Sequence, residues 1–289
     1  MPMRPSRHRF LESSSVFLFL IASLSAADKL AVDKLSLRQF EDGPALAASH
    51  EFLPGETIYW SFRVRGYRIH KNEDEESHMK LSWTLRVADP KGILIEKERT
   101  GRVEARLFEQ DKDWTPRAAD SFVIPPLAPA GVYKVTVKLK DEPDGAESSA
   151  DIEFKVRGDT IQPTDALIAQ SVRFLRHEND PQALQAPVYR PGDTLWVRFE
   201  ITGYKFGEKN KYDVEYGLAV QRGSGETMFS QPVAAKETNE SFYPQHFLPG
   251  VLSLGLNPDL RAGTYIMVIT LRDKIGTQTW ETREKFEVR

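Results

Sequence analysis

Cysteine is absent from all 289 residues of the chain. The protein therefore forms no disulfide, holds no cysteine-ligated metal and carries neither a thiol nucleophile nor a lipidated cysteine. Its stability has to come from packed apolar cores. A hydrophobic content of 40% and an aromatic content of 10% are sufficient to build them.

The sequence also lacks a block of basic residues, and its formal net charge is −3. A protein that binds DNA or RNA normally presents a basic face that replaces the counterions around the phosphates. We therefore exclude nucleic acid as a partner.

Long apolar runs are equally scarce, because only Val16 to Leu24 forms an uncharged apolar stretch. Arginines precede it and the small residues Ser25 to Ala27 follow it, which is the pattern of a signal peptide. The run is too short for a bilayer, which takes about 20 residues. We predict a signal peptide over residues 1–27, export to a secreted or periplasmic location, and no membrane span after cleavage.

Known catalytic signatures are missing as well. The chain has no Gly-x-Ser-x-Gly elbow, no phosphate-binding glycine loop and no EF-hand spacing. We predict no catalytic residue, no cofactor and no metal site. Ligand types gather in the acidic insertion Lys71 to Ser77 between His70 and His78, for which the alternative to a metal is a solvated charge run. The acidic stretches Glu109 to Asp113 and His177 to Asp180 also offer oxygen ligands for calcium, by composition only.

What the chain does contain is an internal repeat. The segment "PAGVYKVTVKLKD" (residues 129–141) recurs as "RAGTYIMVITLRD" (residues 261–273), and "PGETIYWSFRVRGY" (54–67) recurs as "PGDTLWVRFEITGY" (191–204). Several blocks in the same order indicate two homologous modules. We predict a first module over residues 28–158 and a second over 164–289, joined by a short polar linker.

Apolar residues alternate with polar ones in these blocks. Tyr133, Val135, Val137 and Leu139 occupy every second position, and short turn signals such as "LPGE", "DPKG" and "PAG" separate the runs. A period of two is typical of half-buried strands. We predict an all-β protein of two tandem antiparallel sandwiches, each with about seven strands.

Tyr133 and Tyr265 each follow a glycine corner and begin a strand. Each module thus resembles a disulfide-free immunoglobulin-like or fibronectin-like sandwich, in which a tyrosine at this place bonds back to the preceding corner. The stretch "VYRPGDTLWVRFEITG" (residues 188–203) is also similar to a strand opening of the sandwich modules of macroglobulin-type proteins. Both resemblances imply the fold and not an activity. The turn carboxylates that recur, Glu56 with Asp193 and Asp141 with Asp273, are expected to accept backbone N–H bonds.

Aromatic residues crowd one stretch outside the repeated blocks, "ESFYPQHFLPGVLSL" (residues 240–254), and a shorter one near residue 114. Aromatic side chains on loops anchor protein partners or stack on sugar rings. The candidate binding residues are Trp114, Phe242, Tyr243, His246 and Phe247. The alternative is that they plug the end of a core or form the contact between the modules.

These features together favour an exported, non-catalytic module that binds an envelope or extracellular protein or a polysaccharide. A structural spacer or assembly subunit is the main alternative. A hydrolase with an unrecognised site is the third hypothesis.

Overall fold

The computed structural model describes residues 29–111, 113–158 and 161–289. The predicted signal peptide lies outside these residues. Regular structure in the described part is β-strand, apart from two three-residue 3-10 turns at Glu109–Asp111 and Glu208–Asn210. The strands form four sheets that pair into two tandem β-sandwiches.

The first sandwich contains nine strands, two of which are only two residues long. They are β1 (Ala31–Arg38), β2 (Glu51–Phe52), β3 (Thr57–Arg65), β4 (His70–Lys71), β5 (Ser77–Ala88), β6 (Arg99–Leu107), β7 (Arg117–Val123), β8 (Gly131–Asp141) and β9 (Glu147–Val156). One sheet has the order β1-β3-β7. The other has the order β2-β9-β8-β5, with β4 and β6 both paired to β5. All of these pairs are antiparallel except β2 with β9.

The second sandwich repeats this topology. Its strands are β10 (Ile168–Leu175), β11 (Val188–Tyr189), β12 (Thr194–Thr202), β13 (Tyr212–Arg222), β14 (Thr227–Asn239), β15 (Leu248–Gly255), β16 (Gly263–Asp273) and β17 (Gln278–Val288). The sheets have the orders β10-β12-β15 and β11-β17-β16-β13-β14. Only β4 lacks a counterpart, because it pairs around the acidic insertion of the first copy. The predicted all-β tandem architecture is confirmed, and each copy has seven strands longer than two residues.

The alternating residues face the cores as predicted. Tyr133, Val135, Val137 and Leu139 of β8 are fully buried, whereas Lys134 and Lys138 on the opposite face are exposed. Burial of such a row removes apolar surface from water at about 25 cal/mol per Å². Without any disulfide, this burial is the main favourable term holding each sandwich together.

Both predicted tyrosine corners are present. The Tyr133 hydroxyl donates to the carbonyl of Pro129 at 2.8 Å, and the Tyr265 hydroxyl donates to the carbonyl of Arg261 at 2.7 Å. In each case the bond spans four residues and closes the corner before β8 or β16. The corner therefore fixes the end of the sandwich at which that strand begins.

The recurring carboxylates are structural, as expected. Asp141 and Asp273 are buried at the ends of β8 and β16. Asp141 Oδ2 accepts the backbone N–H of Arg68 at 2.9 Å, and Asp273 Oδ2 accepts that of Lys205 at the same distance. Each aspartate thus holds the loop that follows β3 or β12. A buried carboxylate is tolerated there because it is hydrogen-bonded.

Candidate functional site

Two equivalent loops carry the candidate aromatic residues. The first aromatic loop, residues 108–116, joins β6 to β7, and the second, residues 240–247, joins β14 to β15. Ala119 of β7 pairs with Ser61 of β3, and Val251 of β15 pairs with Arg198 of β12, which is the same position in the second copy. Ala119 and Val251 are therefore equivalent strand positions. Trp114 and His246 each precede them by five residues, so these two residues are equivalent as well.

A repeated tyrosine anchors each loop. The Tyr67 hydroxyl donates to the carbonyl of Trp114 at 3.1 Å, and the Tyr204 hydroxyl donates to the carbonyl of Gln245. Burial raises the pKa of both phenols, so they remain protonated donors. The Gly-Tyr pair that ends each repeated block therefore fixes an aromatic loop, a role that the sequence pattern did not reveal.

The second aromatic loop is docked on the first sandwich. Tyr243 has only 4% of its surface exposed and belongs to the apolar cluster of the first sandwich. Its hydroxyl donates to Asp89 Oδ2 at 2.9 Å. In return, Leu127 of the first sandwich packs against the core of the second. The structure thus places Tyr243 in the contact between the modules.

Asp89 accepts the hydrogen bond of the Tyr243 hydroxyl. It is also only 4% exposed, and its Oδ1 accepts the backbone N–H groups of Lys91 and Ile93 at 2.8 Å. Burial raises the pKa of Tyr243, and the neighbouring Tyr133 and Asp89 raise it further. The phenol therefore keeps its proton and is the donor in the bond.

In the sequence, Asp89 belongs to the turn signal "DPKG". The two copies differ at this place. The corresponding turn of the second sandwich begins with Arg222, whose backbone makes the same turn bonds and whose guanidinium pairs with Glu226 at 2.8 Å. The carboxylate of Asp89 therefore has two roles, since Oδ1 accepts backbone N–H groups of its own turn and Oδ2 accepts the Tyr243 hydroxyl.

His246 lies beside this contact and is half-buried. Its ring meets those of Tyr243 and Phe206 edge to face, with centroids 6.2 and 6.4 Å away. Its Nε2 is buried and has no hydrogen-bond partner among the described residues. Burial lowers the pKa of His246, Lys91 lowers it further and Asp89 opposes them. The imidazole is consequently neutral at neutral pH.

The other end of the first sandwich is open. We call it the free end and define it by the segments 66–76, 108–116 and 142–146. The hydrogen bond from Tyr67 to Trp114 joins the first two segments, and the salt bridge between Arg68 and Asp144 joins the first to the third. Three apolar side chains are exposed there: Ile69, Phe108 and Trp114. The free end of the first sandwich is thus the counterpart of the end by which the second sandwich docks.

Carboxylates dominate the surface around these apolar side chains. Glu73, Asp74 and Glu75 of the insertion are exposed, as are Glu109 and Asp113. Asn72 Oδ1 caps the insertion by accepting the N–H groups of Asp74 and Glu76. No group of three possible metal ligands occurs in the described residues. The free end is therefore an acidic surface with aromatic residues at its centre.

The candidate residues divide into two sets. Trp114 and Phe242 are 40% and 47% exposed, while Tyr243, His246 and Phe247 line or fill the junction. Phe242 lies one residue from Tyr243, yet its side chain points to solvent and Asn210 Nδ2 holds its carbonyl at 2.6 Å. It offers a natural control for its docked neighbour.

Comparisons with known proteins found similarity to solved structures. No protein-family model matches the chain. No curated protein matches it. Solved structures that are similar include the C-terminal domain of the Streptococcus agalactiae AgI/II polypeptide BspA, with 9% identity and a TM-score of 0.29 over 90% of this chain and 99% of that chain. Another is the C-terminal domain of the Streptococcus pyogenes antigen I/II-family protein AspA, with 10% identity and a TM-score of 0.31 over 89% and 99%.

Both TM-scores are low, so the fold is assigned from the strand pairing of this chain and the function from its own surfaces. In the described residues, no helix has the length and apolar character needed to cross a membrane.

Proposed function

We propose that the protein is an exported, non-catalytic interaction module that binds an envelope or extracellular protein or a polysaccharide through its free end. One observation carries this proposal. Of two equivalent aromatic loops, the second buries Tyr243 against the preceding sandwich, whereas the first leaves Trp114 and Phe108 in solvent. The aromatic loop at the end of the second sandwich is used for docking within the chain. The equivalent loop at the free end of the first sandwich is therefore available for a partner.

The chemistry of the free end suits such a role. Tryptophan is over-represented among the residues that dominate interface energies, because it buries a large rigid area and keeps one polar N–H. The Arg106 guanidinium lies 5.1 Å from the centre of the Phe108 ring, which is a cation–π contact. The surrounding carboxylates favour a partner with basic groups or hydroxyls.

A second copy of the chain is not the partner that this geometry favours. The docked end inside the chain rests on the buried carboxylate Asp89. The turn at the same place in the second sandwich carries Arg222, already paired with Glu226. In another copy, Asp89 already accepts from that copy's own Tyr243, and the equivalent turn of the second sandwich carries a cation instead of a carboxylate.

Further parts of the proposal rest on the sequence. Secretion or a periplasmic location follows from the predicted signal peptide over residues 1–27. Residues 28–158 and 164–289 are proposed as the two modules, and the tyrosine corners support a relationship to immunoglobulin-like or fibronectin-like sandwiches.

A structural spacer or assembly subunit is the second candidate function. The observation in its favour is the bond between Tyr243 and Asp89, which is buried and joins residues 154 positions apart. Two domains that move freely on a flexible linker are not expected to share a buried hydrogen bond of this kind. The spacer hypothesis predicts that the protein loses its function when the docked arrangement is disrupted. It also predicts that changes to the free end leave the function intact.

The two candidates are separated by crosslinking in the native envelope followed by affinity capture of the tagged protein. We expect Trp114→Ala to reduce the recovered partner at least tenfold, because loss of a central aromatic anchor weakens binding by about 2 kcal/mol or more. Phe242→Ala is the control, since it removes a similarly exposed aromatic residue from the other loop. Equal recovery with wild type and Trp114→Ala, or no specific partner with wild type, would refute binding through the free end.

A further inference from the structure

The junction between the sandwiches contains a cleft of about 150 Å³. Pro90, Pro129 and Ala130 of the first sandwich form one wall, and Pro163 and Phe247 contribute to the other. These side chains are apolar, and all of them except Ala130 are rigid rings. A cavity of about this volume holds a single six-membered ring.

Three polar residues also line the cleft: Lys91, Gln162 and His246. His246 Nε2 is buried there without a partner in the described part of the chain. The Lys91 side chain is exposed at the same cleft. The nearby carboxylate of Asp89 does not satisfy either group through a hydrogen bond, since its oxygens accept from Tyr243 and from the backbone N–H groups of Lys91 and Ile93.

These groups specify a ligand. A neutral imidazole donates from one ring nitrogen, and an ammonium supplies three donors and a positive charge. Two donors that converge on an apolar slot match a carboxylate attached to a flat ring, with one oxygen facing the imidazole and the other facing the ammonium. The apolar walls match the ring and exclude a fully hydrated anion such as sulfate.

We propose that this junction cleft binds a small aromatic carboxylate, with the ring between the proline and Phe247 walls and the carboxylate between Lys91 and His246. The site is independent of the free end, so it adds a small ligand to a protein whose proposed function is macromolecular binding. Because both sandwiches supply walls, an occupied cleft also favours the docked arrangement over any undocked one.

Benzoate is the probe that tests this site, and benzyl alcohol is its uncharged counterpart with the same ring. Saturation-transfer NMR and calorimetric titration use the whole mature chain at neutral pH. We expect saturable benzoate binding that is at least tenfold tighter than binding of benzyl alcohol. Lys91→Gln should weaken benzoate binding at least tenfold and leave benzyl alcohol unchanged.

The controls locate the site. Lys97→Gln makes the same charge change at an exposed lysine that does not line the cleft, and it should leave benzoate binding unchanged. Lys91 is itself exposed, so its variant retains the fold. The proposal is overturned if wild type shows no saturable benzoate binding, if both probes bind equally, or if Lys91→Gln has no effect. Loss on Arg190→Gln alone would equally overturn it, because Arg190 lines a separate arginine-rich groove in the second sandwich.

Discussion

Replacing Tyr243 with alanine is expected to release the two sandwiches from each other. The change removes a buried aromatic ring and leaves a buried carboxylate oxygen of Asp89 without its donor. Truncation of such an anchor weakens docking by about 4 kcal/mol. That loss corresponds to about a thousandfold shift toward the undocked state. Small-angle X-ray scattering should change from one compact arrangement to a distribution of orientations.

Two companion variants divide this effect. Tyr243→Phe keeps the ring and removes the hydroxyl, so it isolates the unpaired carboxylate, which is expected to account for about 2 kcal/mol of the total. Phe242→Ala deletes the exposed neighbour and should change docking by no more than about 0.5 kcal/mol. Scattering from Tyr243→Ala that is indistinguishable from wild type would show that the bond between Tyr243 and Asp89 does not hold the modules.

The second large effect is expected at Gly203, which follows β12 with a φ of +77°. A Cβ atom there would lie 1.9 Å from the carbonyl oxygen of Ala166 and 2.3 Å from its carbon. Because backbone cannot turn aside as a flexible side chain does, Gly203→Ala should displace the segment that leads into β10. We expect a loss of about 4 kcal/mol, combining left-handed strain with overpacking.

Gly192→Ala is the matched control for this prediction. Its φ of +90° imposes the same backbone strain, but no atom lies within 4 Å of the added Cβ. We expect it to lose only about 1 to 2 kcal/mol. Calorimetric unfolding of both variants gives the difference. Equal destabilisation by the two substitutions would mean that the close approach to Ala166 is not important for the second sandwich.

Local patterns were sufficient to predict much of the fold. The period-two alternation in β8 predicted which side chains face the core, and the glycine corners predicted the bonds of Tyr133 and Tyr265. These features depend on residues that are close in the sequence or on one face of a strand. The recurrence of whole blocks then predicted that the second copy has the same topology.

The contacts of the junction could not be predicted in the same way. Tyr243 and Asp89 are separated by 154 residues, and their bond depends on how one sandwich is placed on the other. The crowding of aromatic residues is compatible with a contact between the modules, but no sequence pattern identifies the residue that each of them contacts. Nor did the sequence distinguish the buried Asp89 from exposed acidic residues, since burial of a carboxylate is decided by the donors that surround it.

The central claim is that one aromatic loop is anchored within the chain through the buried Tyr243, whereas the equivalent loop presents Trp114 to a partner. Hydroxyl-radical footprinting of the purified protein and of the protein in its native envelope tests it most directly. We predict that Tyr243 is protected in both samples and Phe242 is labelled in both, while labelling of Trp114 falls several-fold in the envelope. Equal labelling of Trp114 in the two samples would contradict the claim.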